Sequence, residues 1–187
     1  MGAISASEAA PRPKVCDHRS VGIDIVGPSG ERLMLQRVKP PVGRAPGAGH
    51  VDDHGSPEDA ARAETFEELG LTVIRLRRLA GGWKPNRCRR EVRSGCAVGH
   101  LWIIYRADVT GDINPGADEA RNVAWHSPDQ VRDLARRTIH RARGWIKDEE
   151  FARDPGLEPV WVDWYTQLGV INGVAEADLN RVRALYA

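Results

Sequence analysis

Cysteine is scarce in this chain of 187 residues: Cys16, Cys88 and Cys96 are the three it has. Three are too few for a disulfide framework, so a reducing, cytoplasmic setting is expected. Long hydrophobic runs are missing as well. No stretch approaches the roughly 18 apolar residues that a membrane span requires. The opening MGAISASEAAPRPK has no apolar run of the kind a secretory signal carries, and Ala6 breaks the myristoylation pattern that Met1 and Gly2 would begin. Residues 1–15 are read as a disordered tail. Neither sign of charge is in excess: 27 Lys and Arg stand against 26 Asp and Glu, a formal net charge of +1. No bulk field points to nucleic acid or to a membrane, and neither is expected as a partner.

What is present is the composition of a globular protein, 41% hydrophobic and 28% charged, long enough for one domain with a substantial core. Val21, Ile23 and Ile25 alternate along one face of a strand. Gly27-Pro28-Ser29-Gly30 reads as a turn, and Leu33 and Leu35 alternate beyond it, so an antiparallel hairpin is expected. A Pro- and Gly-rich loop over 39–55 leads to a helix with clear ends. Ser56 suits the N-cap, Pro57 the first helical position, Glu58 and Asp59 the positive end of the dipole, and Gly70 the position after the last turn.

A strand is expected over 71–79 and a Gly- and Arg-rich loop over 81–95. An apolar strand covered on both faces follows over 98–109, and a short strand over 122–126. Ser127-Pro128-Asp129-Gln130 forms a capping-box signal. It opens a helical region with Val131, Leu134, Ile139, Trp145 and Ile146 as apolar positions, broken at Pro155-Gly156. Trp161, Trp164, Tyr165 and Leu168 share helical spacing over 158–168 and read as core or interface. A last short helix is expected over 175–187. The sum is an α/β sandwich of mixed strands.

The chemistry concentrates in the first helix. Glu64, Glu67 and Glu68 stand at i, i+3 and i+4, so three carboxylates share one face. Like charges at that spacing cost free energy, which a hard divalent cation with oxygen ligands offsets. Mg²⁺ is the expected cation, with Mn²⁺ as substitute.

The segment 49–71, GHVDDHGSPEDAARAETFEELGL, resembles the Nudix box, G-x5-E-x7-R-E-U-x-E-E-x-G-U with U a bulky apolar residue. Gly49, Glu64, Glu67, Glu68, Gly70 and Leu71 match in register. Gly55 stands where the family has its first Glu, Ala63 where it has Arg, and Thr65 at an apolar position. Arg62 is one residue away, but that step turns it about 100° around the helix. The preceding LMLQR and the later Trp125-His126-Ser127-Pro128 are similar to flanking features of the family. The likeness covers about residues 20–135.

The resemblance implies a Nudix-type α/β/α sandwich with a mixed sheet over 16–150 and a C-terminal helical extension, 151–187, packed on the same domain. It implies a Mg²⁺-dependent pyrophosphohydrolase that cleaves a diphosphate linkage in a nucleoside diphosphate derivative, a small-molecule substrate. A degenerate module that binds such a ligand without turnover is the alternative. Isomerisation of a small diphosphate would want a Cys beside the metal, and none lies in the box. Glu64, Glu67 and Glu68 are the implied metal ligands, completed by a backbone carbonyl of Ala48 or Gly49. Glu67 and Glu68 are also catalytic. Glu119 is the candidate general base, with Asp118 and Glu91 as rivals.

Arg37 matches a position where the family often has a substrate-facing Arg. Lys84, Arg87, Arg89, Arg90 and Arg93 crowd one loop, and the guanidinium groups of Arg87, Arg89 and Arg90 suit phosphate oxygens. Trp83 is a candidate stacking surface. The cysteines are read as separate free thiols, with a structural Zn²⁺ on Cys16, His18 and Cys88 as the alternative. The C-terminal helices are candidates either for pairing two subunits as a homodimer or for capping one active site.

Overall fold

The computed structural model describes residues 14–38, 40–88, 90–115 and 120–187. Among them are seven strands and five α-helices: β1 (Arg19–Ile25), β2 (Arg32–Arg37), β3 (Arg44–Ala45), β4 (Gly47–His50), α1 (Pro57–Leu69), β5 (Thr72–Lys84), β6 (His100–Thr110), β7 (Ala120–His126), α2 (Pro128–Ala142), α3 (Asp148–Arg153), α4 (Pro159–Gln167) and α5 (Glu176–Ala184). They build two sheets, one in the order β4-β1-β6-β5 and one in the order β3-β2-β7. The first is mixed, since β1 runs parallel to β6 and antiparallel to β4. The architecture is the expected α/β one.

The expected hairpin of the first two strands is not formed. A single bridge, Val26 to Arg32, joins them across the turn, and each strand then enters a different sheet. The reason is that β1 is buried on both faces. Val21, Ile23 and Ile25 pack with α1 residues Ala60, Ala61 and Leu69. The opposite face meets α4 at Gly22, where an added Cβ would lie 2.7 Å from the Trp161 ring. β6 divides the same way: Tyr105 and Ala107 face the α1 side, and Trp102 and Ile104 face α4. A strand covered on both sides takes its neighbours from tertiary packing rather than from an adjacent turn.

β5 runs five residues further than the pattern suggests, through Gly81 and Gly82 to Lys84. It pairs with β6 as far as Lys84 opposite His100. Register shifts between Val73 and Arg75 and between Arg78 and Ala80 explain why its alternation is unclean. The helical region after β7 is two helices, not one. Trp145 lies between them, 63% exposed, with Arg143 over its ring. The capping signals hold: the Ser56 and Ser127 hydroxyls accept from Asp59 and Gln130 amides, and Gly70 ends α1.

The aromatic residues of α4 are core. Trp161, Trp164 and Tyr165 are fully buried among Met34, Trp102, Ile104 and Val131. Two buried carboxylates tie this helix down. Asp24 on β1 accepts from Tyr165 (2.8 Å) and pairs with Arg32 on β2 (3.2 Å) and Arg106 on β6 (3.0 Å). Asp163 pairs with buried Lys84 at the end of β5 and accepts from Tyr186 (2.7 Å) and Arg183 (3.1 Å). Burial alone would raise the Asp163 carboxyl, but its bonds to Lys84, Tyr186 and Arg183 outweigh that and hold it below the usual aspartate range. The same burial lowers Lys84.

Removing the carboxylate strands these donors. Asp163→Ala should cost about 3 kcal/mol or more, read as a lowered midpoint in urea. Because the folded-state pKa of Asp163 is depressed, its contribution is complete above an unfolded value of about 4 and drains away as pH falls below that. The stability gap between wild type and Asp163→Asn should therefore narrow as pH falls below about 4.

Candidate functional site

The first helix meets β4 edge-on, and the contact needs a residue without a side chain. A Cβ on Gly49 would overlap the Glu64 carboxylate. Without it, Glu64 lies across the strand, with His54 Nε2 4.0 Å from Oε1. One turn on, Glu68 is 8% exposed and accepts from the Ala48 amide at 3.0 Å. Glu67, between them, is exposed. All three glutamates, with Ala48 and Gly49, line one cavity of about 600 Å³.

The departures from the motif have local causes. Gly55 has φ 84° and ψ −69°, a backbone that side-chain-bearing residues rarely adopt, in the turn between the 3₁₀ segment Asp52–His54 and the Ser56 cap. A glutamate there would strain that turn. Arg62 does not replace the missing Arg: its guanidinium donates to the Val73 carbonyl at 2.8 Å. Thr65 fills its apolar position fully buried, its hydroxyl donating to the Ala61 carbonyl one turn back at 2.6 Å.

The same cavity carries cations. Arg37, Arg87 and Arg90 all line the cavity. Arg37 stands 3.6 Å from Glu158, a buried carboxylate at the N-terminus of α4. Burial raises the Glu158 carboxyl, and Arg37 partly offsets this. Arg87 donates from its backbone to the Tyr186 carbonyl (3.0 Å) and from Nε to the Ala187 carbonyl (2.9 Å). Arg90 pairs with Asp52. Trp83 does not line the cavity. It lies on β5 beside His18, ring centroids 6.3 Å apart. Arg89, Asp118 and Glu119 lie outside the described residues.

Glu158, Tyr186, Asn86, His50 and His100 also line the cavity. None was among the candidate site residues read from sequence. Glu158 and Tyr186 belong to the C-terminal helical region, outside the box, and only the packing of α4 and α5 brings them here. Their one sequence signal is that of an acidic residue before a Pro-initiated helix. Cys16 and Cys88 lie together, as the zinc alternative required, but His18 is not with them. Its Nδ1 is 2.9 Å from the Gly99 carbonyl oxygen, and His50 and His100 occupy the space instead. All three cysteines are free thiols.

No cation is needed to see that the donor set fits a hard one. Three carboxylates converge on a wall whose backbone lies bare at Gly49, leaving room for oxygen ligation. Arg37, Arg87 and Arg90 line the same cavity, and guanidinium groups complement phosphate oxygens. Such a donor set suits phosphoanhydride chemistry.

The comparisons agree. A model of the NUDIX domain matches residues 17–148. No curated protein matches the sequence. The structure is similar to a MutT protein from Methanosarcina mazei Go1 at 15% identity, covering 86% of this chain and 96% of that one, with a TM-score of 0.55. It is also similar to a NUDIX hydrolase from Nitrosomonas europaea at 17% identity, covering 65% and 77%, with a TM-score of 0.50. At these identities the likeness is one of fold. The chain belongs to the Nudix family. Hydrolases of this family act on small molecules containing phosphoanhydrides and generally use Mg²⁺ or Mn²⁺. No helix among the described residues is long and apolar enough to cross a membrane.

A methyl group on Gly49 would force Glu64 out of its place. Gly49→Ala should weaken Mn²⁺ binding by roughly tenfold or more, measured by titration calorimetry, with the circular dichroism spectrum unchanged.

Proposed function

We propose that the protein is a Mg²⁺-dependent pyrophosphohydrolase that cleaves the diphosphate linkage of a nucleoside diphosphate derivative. The observation that carries this reading is the sharing of one cavity by the three glutamates and the three arginines Arg37, Arg87 and Arg90. Glu64, Glu67 and Glu68 would hold the cation, with a carbonyl of Ala48 or Gly49 beside them. A divalent ion held there neutralises phosphate charge and lowers the pKa of a bound water. The guanidinium groups hold and orient the diphosphate, so that the scissile linkage lies against the glutamate wall. The ion pair with Glu158 fixes the direction of Arg37.

Glu119 is proposed as the general base. The three free thiols suit a reducing compartment such as the cytoplasm. A second reading, binding without turnover, is favoured by the turn at Gly55 and by the direction of Arg62, which together leave the box without its usual Glu and Arg.

Nucleotide sugars, dinucleotides, nucleoside triphosphates and prenyl diphosphates, screened for Mg²⁺-dependent release of phosphate or monophosphate, separate the two readings. Turnover of a nucleoside diphosphate derivative is expected. Glu67→Gln and Glu68→Gln should each lower kcat/KM by about 100-fold, equivalent to about 3 kcal/mol of transition-state stabilisation. Turnover undiminished in both variants would remove the metal assignment. Tight binding with no product from any candidate would favour the binding module. Glu119→Gln should lower kcat more than KM, by roughly 100-fold.

A further inference from the structure

At one end of the larger sheet, beside the carboxylate site, a second group of ligand atoms converges. Cys16 lies three residues before β1, His50 ends β4, His100 opens β6, and Cys88 lies four residues past β5. These residues are scattered along the chain, but the strand order β4-β1-β6-β5 brings their four segments side by side. One sulfur or nitrogen from each lies within 4.8 Å of every other.

The separations have a recognisable pattern. A tetrahedron has edges about 1.6 times its centre-to-corner length. Zinc bonds of about 2.3 Å to sulfur and about 2.05 Å to nitrogen therefore set N···N near 3.3 Å, S···N about 3.6 Å and S···S about 3.8 Å. Here His50 Nε2 and His100 Nε2 are 3.2 Å apart. The S···N separations are 3.3 Å for Cys16 with His100, 3.3 Å for Cys88 with His50, and 3.8 Å for Cys16 with His50. Both imidazoles point the same nitrogen, Nε2, at the group. Cys16 and His100 are buried, and the other two are half-buried.

We propose that Cys16, His50, Cys88 and His100 form a closed tetrahedral Zn²⁺ site, separate from the glutamate site in ligands and in role. Two thiolates and two imidazoles are a borderline-soft set suited to zinc, whereas the glutamates offer hard oxygen to Mg²⁺. Four protein ligands leave no open position, so the zinc is structural. The surroundings are those of a ligating sulfur: the Cys16 thiol accepts from the His18 amide at 3.3 Å, and Cys88 accepts from the Arg90 amide at 3.3 Å. Each bond runs from the residue two places on, and each is strengthened by charge on the sulfur.

The site would fasten a mesh that already holds hydrogen bonds and an ion pair between these segments. Cys16 donates its amide to the Glu91 carbonyl at 2.8 Å. Asp17 accepts from the Asp52 amide at 2.9 Å, and Asp52 pairs with Arg90. Zinc would lock this mesh, and with it the stretch from 85 to 99 that carries Arg87 and Arg90 to the cavity. His50, Cys88 and His100 themselves form part of the cavity wall. The zinc would thus set the position of the cavity arginines Arg87 and Arg90.

Zinc content and coordination test this directly on the full chain, without recourse to activity. Protein purified under reducing conditions without added metal, or loaded with Zn²⁺ and desalted, is expected to carry close to one zinc per chain by plasma emission. Co²⁺ exchanged into the wild type should give the intense visible bands of tetrahedral coordination and a thiolate charge-transfer band. Chelation should lower Tm and abolish hydrogen-exchange protection over 85–99. Cys88→Ser should lose the metal, whereas Cys96→Ser, His18→Ala and the pair Glu67→Gln with Glu68→Gln should keep it. Less than about a tenth of an equivalent of zinc after loading would overturn the site. So would a six-coordinate cobalt spectrum, a Cys16–Cys88 disulfide in place of metal, or retention by Cys88→Ser. The wild-type cobalt spectrum decides the matter even where a variant fails to fold. Loss of zinc only in the glutamate variant would place the ion in the carboxylate site and overturn the proposal. Absence of turnover would leave it standing.

Discussion

The closest approach in the molecule that chemistry depends on is that of α1 to β4. The helix can carry its carboxylates over the strand only because Gly49 presents bare backbone there. Once Glu64 lies across the strand and Glu68 accepts from Ala48, the helix is fixed both along its axis and in rotation. Three like charges on one face then have nowhere to turn but the cavity. On the proposed reading, the repulsion that would weaken an isolated helix becomes affinity for a cation. The Ser56 cap and the Gly70 end hold the helix to that span.

The rest of the fold brings complementary charge to the same cavity. β2 carries Arg37 in, and the N-terminus of α4 supplies Glu158 to aim it. The segment beyond β5 carries Arg87 and Arg90. Buried Asp24 links β1, β2, β6 and α4, and Asp163 links β5, α4 and the residues after α5. Each carboxylate joins elements distant in the chain, and each accepts charged donors that would be costly to leave unpaired in the interior. The C-terminal helices therefore contribute both to the core and to the wall of the site.

Much of this was legible in the chain, and where it was not there are physical reasons. Helix ends are written locally, so the caps at Ser56 and Ser127 and the stop at Gly70 read correctly. The glutamate register is likewise local, set by 3.6 residues per turn. Strand partners are not local. The turn after β1 looks like a hairpin, but burial of both faces sends the two strands into different sheets. Bulges in β5 blurred its alternation, and glycines at 81 and 82 imitated a loop. Trp83 reads as a loop residue and so as a stacking surface; on β5 it lies beside His18 instead. The cysteines read as separate thiols, with Cys16 and Cys88 brought together only in the zinc alternative; that they do meet, and that His50 of β4 and His100 of β6 join them in place of His18, depends on sheet order, which spacing does not encode. Glu158 lay outside any motif, and only the packing of α4 gives it a place beside Arg37.

Gly22 and Trp161 show one further consequence of this architecture. The indole lies where a side chain on the strand would otherwise project, with Ile104 pressed against the same spot. Neither position can vary alone: a side chain at 22 evicts the ring, and a smaller residue at 161 leaves a void over the bare strand. The two should therefore covary across relatives, with chains that lack the C-terminal helix free to carry alanine or valine on the strand. A single glycine near the beginning of the chain thus serves as an evolutionary tally of whether the late helix is present.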